Sequence, residues 1–514
     1  MVDAILLLLA LLHSMAALWL TVYGLNGWLL VLLYWLKRRQ SFPVPPVARD
    51  RLPPVTVQLP VYNEQHVVER LIGRVAALDY PRDRLHVQIL DDSTDRTTRL
   101  VGTLVAAYRQ QGLDIELIHR EDRRGFKAGA LAEGYATARG EFIAVFDADF
   151  CPSPDFLLQT IPHFITDPRL GMVQARWTHL NADYSLLTRV QAMALDGHFV
   201  VEQTARSRSG LPMHFNGTAG VWRRACIEAS GGWQADTVCE DLDLSYRAQL
   251  AGWRCRYLPD VQEPAELPPQ MLAFKRQQAR WAQGSIQCLR KLAGPLLRSR
   301  RLNPLQKLMG MVHLSGYLAH PLMVLLLLTT LPLLFHPYLM RGPVGLMDLL
   351  GAVCLGPFLV YATSQWASYA NWGRRMLAFP LLLLVGIGIA WNNSLAAWRG
   401  LFHWGGAFLR TPKFCLEGQQ GHWQRSLYRI GRDHAVVGEL LLALYAAAAV
   451  GVAWTTGNTR ALPFLLTCGA AFGLVTLSSL AEMIGPPGRR PVQVERVAAP
   501  RRSRLKTARP SSQR

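Results

Sequence analysis

Asp147-Ala148-Asp149 follows the apolar run Phe142-Ile143-Ala144-Val145-Phe146. Two carboxylates one residue apart at a strand end suit a hard divalent cation, which takes oxygen ligands and can neutralise a departing diphosphate. Asp241 and Asp243 repeat the same spacing, so the pattern alone is not diagnostic. Asp91-Asp92-Ser93-Thr94-Asp95 closes a second apolar run. A carboxylate there can accept hydrogen bonds from a nucleobase or ribose; equally, Asp92 or Ser93 can cap the helix that follows. Glu240-Asp241 stands in a loop between Gly231-Gly232-Trp233 and the helical stretch Leu242–Leu250. It can take a proton from an attacking hydroxyl or simply complement a helix dipole. In Gln277-Gln278-Ala279-Arg280-Trp281, the i, i+3 spacing puts Gln277 and Arg280 on one helix face. Arg280 can hold a phosphate and Trp281 can offer its indole to a sugar ring; an interfacial Trp with a snorkelling Arg is the alternative. Lys127, in Gly125-Phe126-Lys127-Ala128-Gly129-Ala130, opens a helix where an anion fits, or is a solvated surface lysine.

Positioning these groups together requires a particular kind of scaffold. Val55–Val61, His86–Leu90, Ile115–Ile118, Phe142–Phe146 and Met172–Ala175 read as strands. Between them Glu64–Ala77, Arg96–Gln111 and Lys127–Ala138 carry helical periodicity. Such alternation predicts a doubly wound, mainly parallel α/β sheet whose ligands sit at the carboxyl ends of its strands. Pro60-Val61-Tyr62-Asn63-Glu64, Asp91-Asp92 and Asp147-Ala148-Asp149 fall at those ends.

The 514 residues leave room for further domains, and half of them are hydrophobic. The apolar residues concentrate at 3–36 and beyond residue 307. A hydrocarbon core of ~30 Å needs about 20 apolar helical residues. Residues 3–36 fit one span, and Lys37-Arg38-Arg39 then reads as a stop-anchor that keeps the following domain cytosolic. Further apolar segments lie at 308–335, 345–369, 377–398, 436–455 and 461–484. If 377–398 is interfacial or re-entrant, the basic loops 370–376 and 399–432 and the basic tail all face the cytosol. Trp391-Asn392-Asn393-Ser394 within that segment favours this, because polar residues are costly on a lipid-facing helix. The expectation is therefore five spans and one interfacial element.

Net charge is +19, and residues 486–514 carry nine Lys/Arg against Glu495. Beside membrane spans this basic excess fits the positive-inside bias and attraction to anionic membrane lipids, and no nucleic-acid partner is expected. Eight scattered cysteines (151, 226, 239, 255, 288, 354, 415 and 468) show no metal-ligand spacing and read as reduced thiols.

The order of these motifs resembles family 2 glycosyltransferases of the cellulose-synthase superfamily, nearest to the cellulose-synthase-like branch with mannan and glucan synthases. The resemblance runs from Gln58-Leu59-Pro60-Val61-Tyr62-Asn63-Glu64 to Trp281 and includes Val173-Gln174-Ala175-Arg176-Trp177 and Phe215-Asn216-Gly217-Thr218-Ala219-Gly220. It implies a cytosolic GT-A domain joined to an α-helical transmembrane bundle in the plasma or inner membrane. Tyr62, Glu64, Asp91, Asp92 and Lys127 would then hold the donor nucleotide, and Gln277 and Arg280 its phosphates. Asp147 and Asp149 would bind Mg²⁺ or Mn²⁺, and Asp241 would be the general base. Trp281, Asn216, Gly217, Thr218 and Glu240 would line the acceptor side. Phe408-Leu409-Arg410-Thr411-Pro412-Lys413 resembles the family's gating loop Phe-x-Val-Thr-x-Lys at Phe408, Thr411 and Lys413, with Arg410 in the place of Val.

These readings divide the chain into an anchor (1–50), the GT-A domain (51–268), an amphipathic interface region (269–306), a membrane bundle (307–485) and a basic tail (486–514). The function implied is inverting transfer from a UDP- or GDP-sugar to a growing β-linked polysaccharide, coupled to its translocation. A glycolipid transferase acting on a lipid acceptor is the alternative. A channel or transporter with a degenerate nucleotide-binding domain is the reading from another class.

Overall fold

A computed structural model describes residues 2–336, 353, 355–424 and 426–484. The basic tail, Cys354, Arg425 and most of 337–354, with the first part of the expected 345–369 segment, lie outside the described residues.

Among the described residues, seven strands form one sheet in the order β3-β2-β1-β4-β6-β5-β7. They are β1 (Val55–Val61), β2 (Leu85–Asp91), β3 (Asp114–His119), β4 (Phe142–Val145), β5 (Leu170–His179), β6 (Gly220–Arg223) and β7 (Arg254–Ala265). The first four are mutually parallel, and β4 is buried along its whole length, as expected for a strand covered on both faces. The antiparallel β6 then joins β4 to the parallel pair β5 and β7. Successive connections run outward from β1 through β2 to β3, then return to place β4 on the other side of β1. The crevice at that reversal is where an open α/β sheet binds ligands. Tyr62 and Glu64 leave β1 there, Asp92 leaves β2, and Asp147 follows β4.

The helix Val2–Lys37 is one of four that are long and apolar enough to cross a membrane among the described residues. The others are Gly316–Leu334, Ala435–Thr455 and Thr459–Ile484. A Cβ at Gly27 would come within 2.8 Å of the Gly356 backbone, so the first helix and the helix Gly356–Ser368 approach at small residues, as membrane helices do. The segment expected at 377–398 is a pair of helices bent by 44°, with Phe379–Gly388 on one side of the break and Ala390–Phe402 on the other. Its asparagines are buried in protein. Asn392 Nδ2 donates to Lys275 O (2.9 Å), and Asn393 pairs with His320 Nε2 (3.0 Å). Their polarity is therefore satisfied by neighbouring helices and does not bear on whether the segment crosses.

Three contacts fix which side of the helices carries the sheet. Arg208 donates to Arg38 O at the end of the first helix (2.7 Å), Lys413 reaches Asp149 (2.6 Å), and Glu482 near the end of the last described helix accepts from Met271 N (2.6 Å). The 28-residue helix Met271–Arg298 lies between sheet and bundle. On it, Lys275 is 1% exposed, 2.6 Å from Glu439 and 2.5 Å from Asp433. A lysine is tolerated at that depth because two carboxylates neutralise it.

Candidate active site

The crevice holds a cavity of about 160 Å³ whose walls include Tyr62, Glu64, Asp92 and Lys127, Asp147 and Asp149, Glu240 and Asp241, and Gln277, Arg280 and Trp281. Asn216, Gly217, Phe408, Thr411 and Lys413 also line it. Residues from the ends of β1, β2 and β4, three helices, the loop before β6 and a distant loop thus meet at one place.

The donor side is built from carboxylates that each have a cation. Arg120 embraces Asp92 through two parallel hydrogen bonds, Nε to Oδ1 (2.7 Å) and a terminal nitrogen to Oδ2 (2.6 Å), the bidentate geometry that makes such pairs strong. Lys127 Nζ donates to Asp147 Oδ1 (2.6 Å), and Lys413 Nζ to Asp149 Oδ2 (2.6 Å). Arg410 pairs with Glu64 Oε2 at 2.7 Å and lies 4.1 Å above the Tyr428 ring. Burial pushes the Glu64 carboxyl up to about 7 even with Arg410 opposing it. Burial works against the charge on both lysines, but Asp147 and Glu240 around Lys127, and Asp149 and Glu266 around Lys413, outweigh it and raise them.

On the acceptor side the helix Glu240–Ala251 begins with the two carboxylates of its first turn, Glu240 and Asp241. Asp241 Oδ1 accepts from Leu242 N (2.8 Å), while the nearest cation to Glu240 is Lys127, 3.9 Å away. Burial raises both carboxyls, and for Glu240 the neighbouring Asp241 raises it further. Gly217 must be glycine here. Its φ is +83°, and a Cβ would stand 2.9 Å from Asp241 Oδ2 and 3.3 Å from Lys127 Nζ. Arg280 stacks on Phe408 (4.1 Å), which ties the helix Met271–Arg298 to the loop that carries Arg410 and Lys413.

Several expected residues stand elsewhere than expected. Asp91 is fully buried beneath the cavity, taking Ser93 N (3.0 Å), Thr98 Oγ1 (2.6 Å) and His119 Nδ1 (2.9 Å), so it shapes the loop and does not line the cavity. The cap of the helix Thr97–Gln110 comes from Asp95, which accepts from Thr97 N (2.9 Å), and not from Asp92 or Ser93. Lys127 faces Asp147 and Gly217 O (2.9 Å) at the centre of the site instead of the nucleotide end near Tyr62. Thr218 turns its hydroxyl inward to accept from Asp147 N (2.8 Å). Asn216 spends its side-chain amide on Gln203, His198 and His214. Arg120 and Arg123 carry no motif in the sequence, and Arg410 stands there only as a departure from the loop pattern, not as the partner of Glu64. Arg123 lies 3.3 Å over the Tyr62 ring, and no spacing rule connects any of these arginines to its partner.

No group of three or more His, Cys, Asp or Glu side chains gathers to hold a metal among the described residues. Asp147 and Asp149 nevertheless fit Mg²⁺ or Mn²⁺ in the manner of substrate-bridged sites, which need one or two carboxylates and complete their shell with phosphate oxygens and water. Both already hold a cationic head group in the cavity, which shows that the place suits positive charge.

Residues 53–284 match the family described as "Glycosyltransferase like family 2". Over 283 residues the chain is 42% identical to glucomannan 4-beta-mannosyltransferase 2 of Arabidopsis thaliana, covering 53% of this chain and 53% of that protein. Over 268 residues it is 43% identical to glucomannan 4-beta-mannosyltransferase 1 of Oryza sativa subsp. japonica, covering 51% of each. The chain thus spans about half the length of the curated relatives it matches. A solved mannosyltransferase from Pyrobaculum calidifontis, in complex with GDP-Man and Mn²⁺, shares the fold with a TM-score of 0.51 at 22% identity, over 76% of this chain and 99% of its own. The chain therefore carries, over residues 53–284, a GT-A domain of the family 2 glycosyltransferases, of the cellulose-synthase-like, mannan-synthase-related kind.

Proposed function

We propose that the protein is a membrane-embedded, inverting hexosyltransferase that moves a sugar from a GDP- or UDP-sugar to the end of a growing β-linked polysaccharide of the mannan or glucomannan type. One observation supports this most: the two halves of a single cavity carry different chemistry, paired carboxylates on one side and basic carboxylates on the other. The mannosyltransferase names of the relatives make GDP-mannose the first donor to test.

In this reading Tyr62, Glu64 and Asp92 face the nucleoside, and Gln277, Arg280 and Lys413 face the diphosphate. A divalent cation at Asp147 and Asp149, when bound, supplies positive charge to the leaving diphosphate. Asp241 accepts the proton of the attacking acceptor hydroxyl, which its burial-raised basicity favours. Trp281 offers its ring to the acceptor sugar. A single base opposite the leaving group inverts the anomeric centre, so an α-linked donor yields a β-linkage. The catalytic domain lies in the cytosol, where nucleotide sugars are made, and the helices thread the product through a multi-pass bundle in the plasma or inner membrane.

The test is donor turnover by the full chain in nanodiscs, with GDP-mannose, UDP-glucose and other donors, Mg²⁺ or Mn²⁺, and sizing of labelled product. A glycosidase-sensitive polymer that disappears in Asp241→Asn supports the proposal. A small organic-soluble product would replace it with glycolipid synthesis, and no turnover of any donor would overturn it.

A further inference from the structure

Behind the acceptor side lies a buried polar network that the proposed mechanism leaves idle. It is organised by one wide, π-type turn, Gly197–Gln203, a departure from α-helix that concentrates at functional sites. Hydrogen-bond direction in the network follows from a single fixed acceptor. The His214 carbonyl can only accept, so Gln203 Nε2, 2.8 Å away, is a donor. The same Nε2 lies 2.7 Å from Asn216 Oδ1, so the Asn216 amide presents its NH₂ at the other end. That NH₂ meets His198 Nε2 and His214 Nε2, each at 3.0 Å. Both imidazoles must accept there, and each therefore carries its proton on Nδ1. Glu202 agrees: its Oε2 stands 2.9 Å from His198 Nδ1, while Arg206 Nε holds its Oε1 at 2.9 Å.

The remaining titratable groups around the pair are His313, whose ring lies 4.9 Å from that of His214, Tyr246, which bonds His313 Nδ1 at 2.6 Å, and Tyr361 on the membrane side. Burial, the His198 ring and Arg206 push His214 down to about 3, which keeps it neutral.

The loop so fastened touches the reacting groups at several points. Phe215 N donates to Ser245 Oγ (2.8 Å), which donates to Asp241 O (2.6 Å). Gly217 O holds Lys127, and the Gly217 Cα packs against the Asp241 carboxylate. Thr218 Oγ1 holds Asp147 N. We infer that His198 and His214, as a neutral pair in the Nδ1–H form, are positioning residues. By accepting both amide hydrogens of Asn216 they lock residues 215–218 and so set Asp241, Lys127 and Asp147 relative to one another. The catalytic consequence rests on the proposed glycosyl transfer; the tautomers do not.

The test uses the full chain in nanodiscs. In donor turnover, His198→Leu removes the acceptor and is expected to lower kcat about tenfold or more with donor KM little changed, since misplacement by ~1 Å is that costly. His198→Gln keeps an acceptor oxygen near the Nε2 position and is expected to restore kcat to within about threefold of wild type. Asn216→Asp presents only acceptors, needs a protonated imidazole opposite, and is expected to move the pH optimum down. Equal losses in the Leu and Gln variants, or an unmoved pH profile for Asn216→Asp, overturn the inference. Should the Leu variant fail to fold, the near-isosteric Gln and Asp variants still decide it. Independently of activity, ¹⁵N-histidine NMR, assigned with the His198→Gln and His214→Gln variants, should show both rings protonated at Nδ1 only. A ring protonated at Nε2 overturns the latch. If the wild type turns over no donor, the functional proposal fails while this spectrum still decides the tautomers.

Discussion

The two sides of the cavity solve the problem of buried carboxylates in opposite ways. On the donor side Asp92, Asp147, Asp149 and Glu64 each have a cation at 2.6–2.7 Å. On the acceptor side Glu240 and Asp241 share one lysine, 3.9 Å from the first. A cation at hydrogen-bonding distance keeps the place open to positive charge, which suits metal and diphosphate chemistry, although at Glu64 burial outweighs Arg410 and still raises the carboxyl to about 7. Carboxylates left short of cations become basic, which is what a proton acceptor needs. Lys127 touches both sides, at Asp147 and at Glu240.

The largest test of that contrast is Asp241→Asn. It should cost about 10²–10⁴ in kcat while donor KM stays near wild type, because a general base contributes about that much. Turnover within tenfold of wild type would show that the acceptor side is not the basic half. Next in size is Lys413→Ala, which strips the cation from Asp149. Donor KM should rise about tenfold, the worth of one charge-assisted hydrogen bond, and the acid limb of the kcat/KM profile should stay where it was. Lys127→Ala is its counterpart. It removes the strongest of the groups that lower the Asp241 and Glu240 carboxyls, ahead of backbone hydrogen bonds and Arg280, so the acid limb should move up in pH. An unmoved limb would mean that the two sides are not electrostatically joined there.

For the wild type the same limb should lie above the usual carboxylate range, with activity falling as pH drops through the raised value. The smallest effect is on stability. Glu64 binds its proton up to about pH 7 when folded and only to about 4.5 when unfolded. The folded state therefore holds the extra proton between those values, and stability contributed by this group falls as pH rises through them. Glu64→Gln should remove that slope, so its Tm relative to wild type should be higher at pH 8 than at pH 5.5. Calorimetry showing parallel Tm curves would refute it.

Much of the donor side was legible because parallel strands write their ends into the sequence. The apolar runs before Tyr62, Asp91 and Asp147 give β1, β2 and β4, and β1 has the expected bounds. What remained hidden depends on distance along the chain. β6 is four residues long and antiparallel, and β7 is interrupted by Pro259 and Asp260, so neither shows a strand's periodicity. Asp92 with Arg120, and Glu64 with Arg410, are pairings that only the folded sheet and the returning loop create. Adjacent aspartates likewise part company: Asp92 lines the cavity while Asp91 lies beneath it, an alternation that follows from leaving the end of a strand.

Lys275 bears on how the molecule can be taken apart. Sequence boundaries suggest a catalytic piece ending near residue 306, yet the helix that carries Gln277, Arg280 and Trp281 owes its buried ammonium to Asp433 and Glu439, more than a hundred residues later. A fragment that stopped short of them would keep every catalytic motif up to Trp281 and bury a charge without its partners, a penalty of about 3–5 kcal/mol. The smallest unit that can work in isolation is therefore not the domain that chemistry marks out but the domain with its membrane helices attached.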